Sequence, residues 1–322
     1  MKRRTAMFLA LLMLVAATVP ASFAASSEGY RITKPHEYAI KPGTSEWRSM
    51  DNVLDRRAAC HVPEDELKMM TTEALVKTVL EYPLLVDMCA YNSIDEGIEA
   101  VSEYFGGIKE LAERKDALKY LKEYIVQQAD QTDGANLLCF FADTLIRYIT
   151  KEYAQHERAS FPPIYTPKKT PVPNSIIHYN LTWASFGTNA LIEQDIANLM
   201  LQIYTSASIV AQPSPKYNCH SYAWHSQSTA TNKYWIDYPD VYLNDGSYSM
   251  VTVPTFGTRV TYFTNTYGYY THSGIIWTPV VVINKKVTSK WGKGALFTHN
   301  VYDCPYYPNG SNTVVQYWDR NP

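Results

Sequence analysis

After residue 24 the chain has no run long and apolar enough to span a bilayer, so no later segment reads as a membrane helix. It also lacks an excess of charge of either sign. Its 29 Lys and Arg against 31 Asp and Glu give a net charge of −2, without the basic footprint of a nucleic-acid binder. Cysteine is scarce and odd in number: with five in the chain, at least one thiol of an exported protein stays unpaired unless chains cross-link. Paired Cys or His at zinc-finger spacing is absent, and no cofactor motif is found. Tyrosine, by contrast, is abundant, with 26 residues concentrated after position 200. That suits an aromatic-rich sheet of a secreted domain.

The N-terminus is read first as an address. Lys2, Arg3 and Arg4 precede an apolar run from Ala6 to Val19, and Ser22 and Ala24 supply small residues around a cleavage point. This is a signal-peptide pattern, and residues 1–24 are assigned to it. No Cys follows the apolar run, which argues against a lipid-modified N-terminus. The expected mature protein is secreted or cell-envelope associated.

The rest divides by composition. Residues 25–50, with Pro35, Pro42 and Gly43, read as irregular, and 51–155 as a helical domain. Leu75, Val76, Val79 and Leu80 form one apolar stripe; Ile94, Ile98, Val101 and Phe105 form a second, behind a capping box of Ser93 and Glu96. Leu111, Leu118, Leu121 and Ile125 continue the pattern, and 134–154 is a more apolar helix. Five prolines in "FPPIYTPKKTPVPNS" mark a linker at 156–175. The two halves are expected to fold separately on either side of it. A further helix is expected at about 188–204. Strands then follow: "YSMVTVP", "TRVTYFT", "HSGIIW", "PVVVINKKV" and "ALFTHNVY". The fold class expected is α+β, a helical domain and then, over 176–322, a Cys-bearing helix packed on an antiparallel sheet.

The chemistry concentrates in "KYNCHSYAWH", residues 216–225. A helix opening here places Cys219 in its first turn, where free N–H groups favour a thiolate. The thiol needs a base from another element, because adjacent helical residues diverge and His220 and His225 point elsewhere. These two are read as surface or cleft-wall residues. His272, at the start of "THSGIIW" with small Ser273 and Gly274 beside it, is the expected base. Ser289 in "KKVTSKWGKG" and His299 in "ALFTHNVY" are rival candidates to orient its imidazole. Asn218 or the N–H of Cys219 is the expected oxyanion donor. Cys60, Cys89 and Cys139 read as buried small residues, and Cys304 as a loop cysteine without a role. In "SKWGKG", Lys290 and Lys293 either solvate a turn or, with Trp291, line a cleft.

The segments "NCHSYAWH", "FGTRVTYF" and "HSGIIW" together resemble the NlpC-type papain-like cysteine peptidases and amidases of cell walls. The resemblance spans roughly 205–305. It implies Cys219 as nucleophile and His272 as base, with Gly257 matching the glycine that leads into the family's strand. Thr258 stands where the family has Asp, and Ser289 where it more often has His, Asn or Gln. The helical half resembles N-terminal regions of exported Gram-positive bacterial proteins. What the resemblance implies is a secreted thiol hydrolase of amide bonds, with a peptide or peptidoglycan substrate. A papain-like fold without catalysis, serving as a binding or adhesion module, is the alternative. A metal site built from Cys219 and nearby histidines is a third reading.

Overall fold

The computed structural model describes residues 31–129, 137–152, 162–174, 177–179, 181–265, 268–278, 285–307 and 313–322. The expected signal peptide, 1–24, lies outside them. No helix among the described residues is long and apolar enough to cross a membrane.

Helices come first. They are α1 (Ser45–Arg48), α2 (Val53–Ala59), α3 (Glu64–Met69), α4 (Thr72–Leu80), α5 (Ile94–Ser102), α6 (Gly107–Glu113), α7 (Ala117–Ala129) and α8 (Leu137–Thr150). A 3-10 turn at Leu85–Ala90 lies between α4 and α5. Caps explain several starts. Asn52 Oδ1 accepts from the N–H groups of Leu54 and Asp55, and Thr71 accepts from Ala74. Ser93 accepts from the N–H of Glu96, the first half of the expected capping box. The Glu96 carboxylate accepts from Tyr269 Oη at 3.0 Å and is favoured by the backbone N–H groups of Asn92 and Ser93. The pattern expected to run on from Leu111 breaks at Arg114, where the backbone turns extended.

The second half holds α9 (Ala190–Ile203), capped by Asn189, and the short α10 (Asp240–Asn244). Its strands are β1 (Ile177–Tyr179), β2 (Ser208–Ala211), β3 (Tyr234–Ile236), β4 (Tyr248–Val251), β5 (Arg259–Thr264), β6 (Tyr269–Ile276), β7 (Lys286–Lys290), β8 (Leu296–Asn300) and β9 (Thr313–Arg320). Seven of them form one antiparallel sheet in the order β2-β8-β7-β6-β5-β9-β4, and β1 pairs with β3. The class is therefore α+β, as expected. Of "PVVVINKKV", the residues 279–284 lie outside the described set.

Alternation along the central strands sends Val260, Tyr262, Ile276, Val287 and Phe297 into the core that also holds Trp47, Leu75, Val79, Ile98, Phe141, Ile196 and Tyr204. Helical and sheet halves thus share one core, and residues 31–322 form one compact unit. Two segments read as loose from sequence are parts of it. The "irregular" 25–50 contains α1, whose buried Trp47 donates its indole N–H to the carbonyl of Ile203 at 2.9 Å. The "linker" 156–175 is described from 162, and there it is packed. Ile164 and Val172 are buried against Ile177, Trp224 and Tyr242, and Tyr165 and Pro171 form a β-bridge. Proline stiffens this segment without detaching it, so separately folding halves do not fit the packing.

Candidate functional site

Asn218 shapes the segment that carries the thiol. Its side-chain oxygen accepts from the N–H of Ser221 at 3.0 Å, and its carbonyl from the N–H of Tyr222 at 3.0 Å. Cys219 therefore sits in the first helical turn, as expected. The turn then widens into a π-helix at Ser221–His225. Asn218 is not free to serve an oxyanion, because its amide donates to the carbonyl of Ile236 at 2.8 Å and to Asn92 Oδ1 at 3.2 Å.

This turn packs on β6. Ser273 Oγ accepts from Trp224 Nε1 at 2.9 Å and lies 2.8 Å from His220 Nδ1. The Trp224 N–H fills one of the two acceptor sites of the hydroxyl, and its Oγ also bonds His220 Nδ1. Burial pulls the His220 pKa down to about 4. His220 is thus a buried residue facing β6, not the surface or cleft-wall residue expected. The backbone N–H of Ser273 favours the Cys219 thiolate, and the Ser273 hydroxyl meets His220, the residue that follows Cys219. Cys219 is 1 % exposed. Burial pushes its thiol up to about 12, outweighing the N–H groups of Ser273 and His220 and the charge of Lys290, which favour the thiolate.

His272 is fully buried, and neither of its ring nitrogens has a hydrogen-bond partner among the described residues. Burial, and then the neighbouring His299 and His220, hold its pKa well below the usual imidazole range. The expected thiolate–imidazolium pair is therefore replaced, at rest, by a neutral thiol and a neutral imidazole. The ring of Tyr306 lies flat on His272, with centroids 3.5 Å apart and planes 6° apart. Tyr262, paired with His272 across the β5–β6 ladder, adds a tilted contact at 5.5 Å.

Neither expected orienter reaches His272. Ser289 and His299 meet each other instead, at 2.8 Å between Oγ and Nε2. His299 Nδ1 is 2.8 Å from the carbonyl of Asn300 and must donate to it, so Nε2 is the acceptor of the Ser289 hydroxyl. Ser289 in turn accepts from Trp291 Nε1 at 3.1 Å. The chain Trp291 to Ser289 to His299 to Asn300 is complete in itself. It holds His299 neutral, with burial pulling its pKa to about 4. Gly274 makes room here: a Cβ on it would come within 3.0 Å of Ser289 Cβ.

The "SKWGKG" segment is neither a solvated turn nor a cleft wall. Lys290 is fully buried and donates to the carbonyls of Ser214 at 2.9 Å, Gly292 at 2.9 Å and Gly294 at 2.5 Å. Burial pulls its pKa toward about 7, but three carbonyl acceptors need three N–H donors, which only the ammonium has. Lys293 pairs with buried Glu193 at 3.4 Å, and Trp291 is buried between Tyr204, Phe297 and His299. Thr258 donates to Asp319 Oδ1 of β9 at 2.5 Å.

A cleft of about 290 Å³ is lined by Asn92, Glu96, Trp235, Asp237, Tyr238 and Tyr269 among others, and neither Cys219 nor His272 lines it. Asn92 bonds the residue before Cys219, and burial pushes Glu96 up to about 7. All five cysteines are unpaired. Burial also pushes Cys60, Cys89 and Cys304 up to about 12. Among the described residues no group of three or more His, Cys, Asp or Glu is arranged to hold a metal ion. Sequence reasoning missed Tyr306, which follows Pro305 in a loop without periodicity. The chain matches no protein-family model, no curated protein and no solved structure.

Proposed function

We propose that this protein is an exported thiol hydrolase of amide bonds, with Cys219 as nucleophile, His272 as base and peptides, peptidoglycan stems among them, as substrate class. The observation that carries the reading is the juxtaposition at β6. A fully buried imidazole with two unpaired nitrogens stands on β6 next to Ser273, whose hydroxyl meets His220 and Trp224 of the turn that carries Cys219. Buried polar atoms without partners are costly and rare, and they concentrate where chemistry needs them. The order of elements, a Cys at a helix start followed by a His-bearing strand of an antiparallel sheet, also supports the papain-like resemblance.

In this reading the imidazole takes the thiol proton as sulfur attacks the amide carbon. The N–H of Cys219, at the helix start, steadies the oxyanion. Collapse expels the amine, which leaves with the proton from His272, and a thioester remains. Water then adds to the thioester while His272 takes its proton. The carboxylic acid departs, and the proton returns to sulfur.

A dipeptidyl chloromethyl ketone tests the pair. The expected result is alkylation of Cys219 and of none of Cys60, Cys89, Cys139 or Cys304, lost in His272→Gln. No labelling of folded wild-type protein favours the second reading, a papain-like module that binds without catalysis. The near-complete burial of Cys219 and the neutral resting pair are the observations that favour that alternative.

A further inference from the structure

We infer that Tyr306 is the positioning residue for the His272 imidazole, and that the helical half holds it in place. The inference rests on the reading of His272 as the base. An imidazole that transfers a proton must be held in one orientation, and in a triad a hydrogen bond from a third residue does this. Here neither ring nitrogen has such a bond, and Ser289 is committed to His299 and Trp291. What meets the ring is an aromatic face: Tyr306 at 3.5 Å and 6°, with Tyr262 tilted at 5.5 Å. Stacking fixes the plane of the ring and leaves both nitrogens open for proton traffic.

Tyr306 is itself over-determined, and the helical half supplies the hydrogen bonds that hold it and its two neighbours. Its hydroxyl donates to the carbonyl of Ala90, at the end of the 3-10 turn Leu85–Ala90. Tyr91 Oη donates to the carbonyl of Pro305 at 3.3 Å, and its ring is tilted against that of Tyr306 at 5.1 Å. Arg57, buried in α2, donates to the carbonyls of Pro305 at 3.0 Å and Tyr307 at 2.7 Å. Arg56 pairs with Asp303. The loop 303–307 is thus clamped on both sides of Tyr306 by α2 and by residues 90–91. The helical half supplies the support that the sheet, with Ser289 turned away, does not.

The test uses the full chain and reads the imidazole directly. Proton NMR of the wild-type protein, with His272→Gln to assign the signal, is expected to show the His272 ring protons upfield of their ordinary positions, as a face-on aromatic neighbour requires. An unshifted His272 signal overturns the stack, and does so whatever Cys219 turns out to do. Tyr306→Phe keeps the ring and loses only the tether to Ala90. It should keep the upfield shift and the chloromethyl ketone labelling rate within about twofold. Tyr306→Leu removes the face. With the groups facing His272 otherwise intact (His220, His299 and Tyr262), its titration midpoint should move up toward the ordinary value of about 6.5, and labelling should fall at least tenfold. A folded Tyr306→Leu protein with the wild-type midpoint and labelling rate contradicts the assignment. If Tyr306→Leu does not fold, the upfield shift in wild type and its retention in Tyr306→Phe decide it.

Discussion

At the scale of single residues, the site is a set of neutral groups kept neutral by burial. Two relays of the same composition flank His272: Trp224 to Ser273 to His220, and Trp291 to Ser289 to His299. In each, an indole N–H donates to the serine oxygen, and in the second the bond of His299 Nδ1 to Asn300 directs the Ser289 hydroxyl proton to Nε2. Ser289→Ala should therefore act on stability. It strands the acceptor of His299 and the donor of Trp291, a loss of roughly 1–3 kcal/mol, read as a lower urea midpoint. The labelling rate of the folded fraction should stay near wild type. A tenfold slower rate at unchanged stability would restore Ser289 as an orienter. The pH dependence of Cys219 alkylation by iodoacetamide follows from its thiol at about 12. Only the thiolate reacts, and below its pKa the thiolate fraction rises about tenfold per pH unit. Between pH 7 and 9 the logarithm of the rate should rise with unit slope. A plateau across that range would mean a standing thiolate–imidazolium pair and a different electrostatic setting.

At the scale of elements, what was legible in the sequence is what local rules decide. Ser93 announced the start of α5, the stripe Leu75, Val76, Val79 and Leu80 announced α4, and Cys219 in a first turn followed from Asn218 before it. The pairing of Ser289 with His299 was not legible, because it depends on the β7–β8 register and on the choice the hydroxyl makes between two imidazoles. The fate of "SKWGKG" was also hidden, since glycines and lysines usually mark solvated turns. Here the glycines let backbone approach backbone. Gly292, at φ +50, would place a Cβ 2.5 Å from the carbonyl oxygen of Tyr91. The turn is tied to the helical half, and Lys290 fastens it from below. Lys290→Met should strand three carbonyls at once and cost roughly 2–4 kcal/mol. Chemical denaturation measures this, and a change under about 0.5 kcal/mol, the size of an ordinary surface substitution, would show that the ammonium does not hold the turn.

At the scale of the molecule, the helical half is part of the site's support. Composition suggested a boundary at the prolines, but tertiary contacts between distant residues, Trp47 to Ile203 and Arg56 to Asp303, join what composition separates. Unfolding should accordingly be one transition, with helix signal by far-UV circular dichroism and aromatic signal by near-UV coinciding. Two separated transitions would contradict the shared core. The central question is whether Cys219 breaks amide bonds. The most direct measurement incubates purified peptidoglycan and its peptide digest with the full chain and counts newly released primary amines. The prediction is release by wild-type protein and none by a folded Cys219→Ala variant. Equal counts from the two proteins, or no release from either, would contradict the hydrolase.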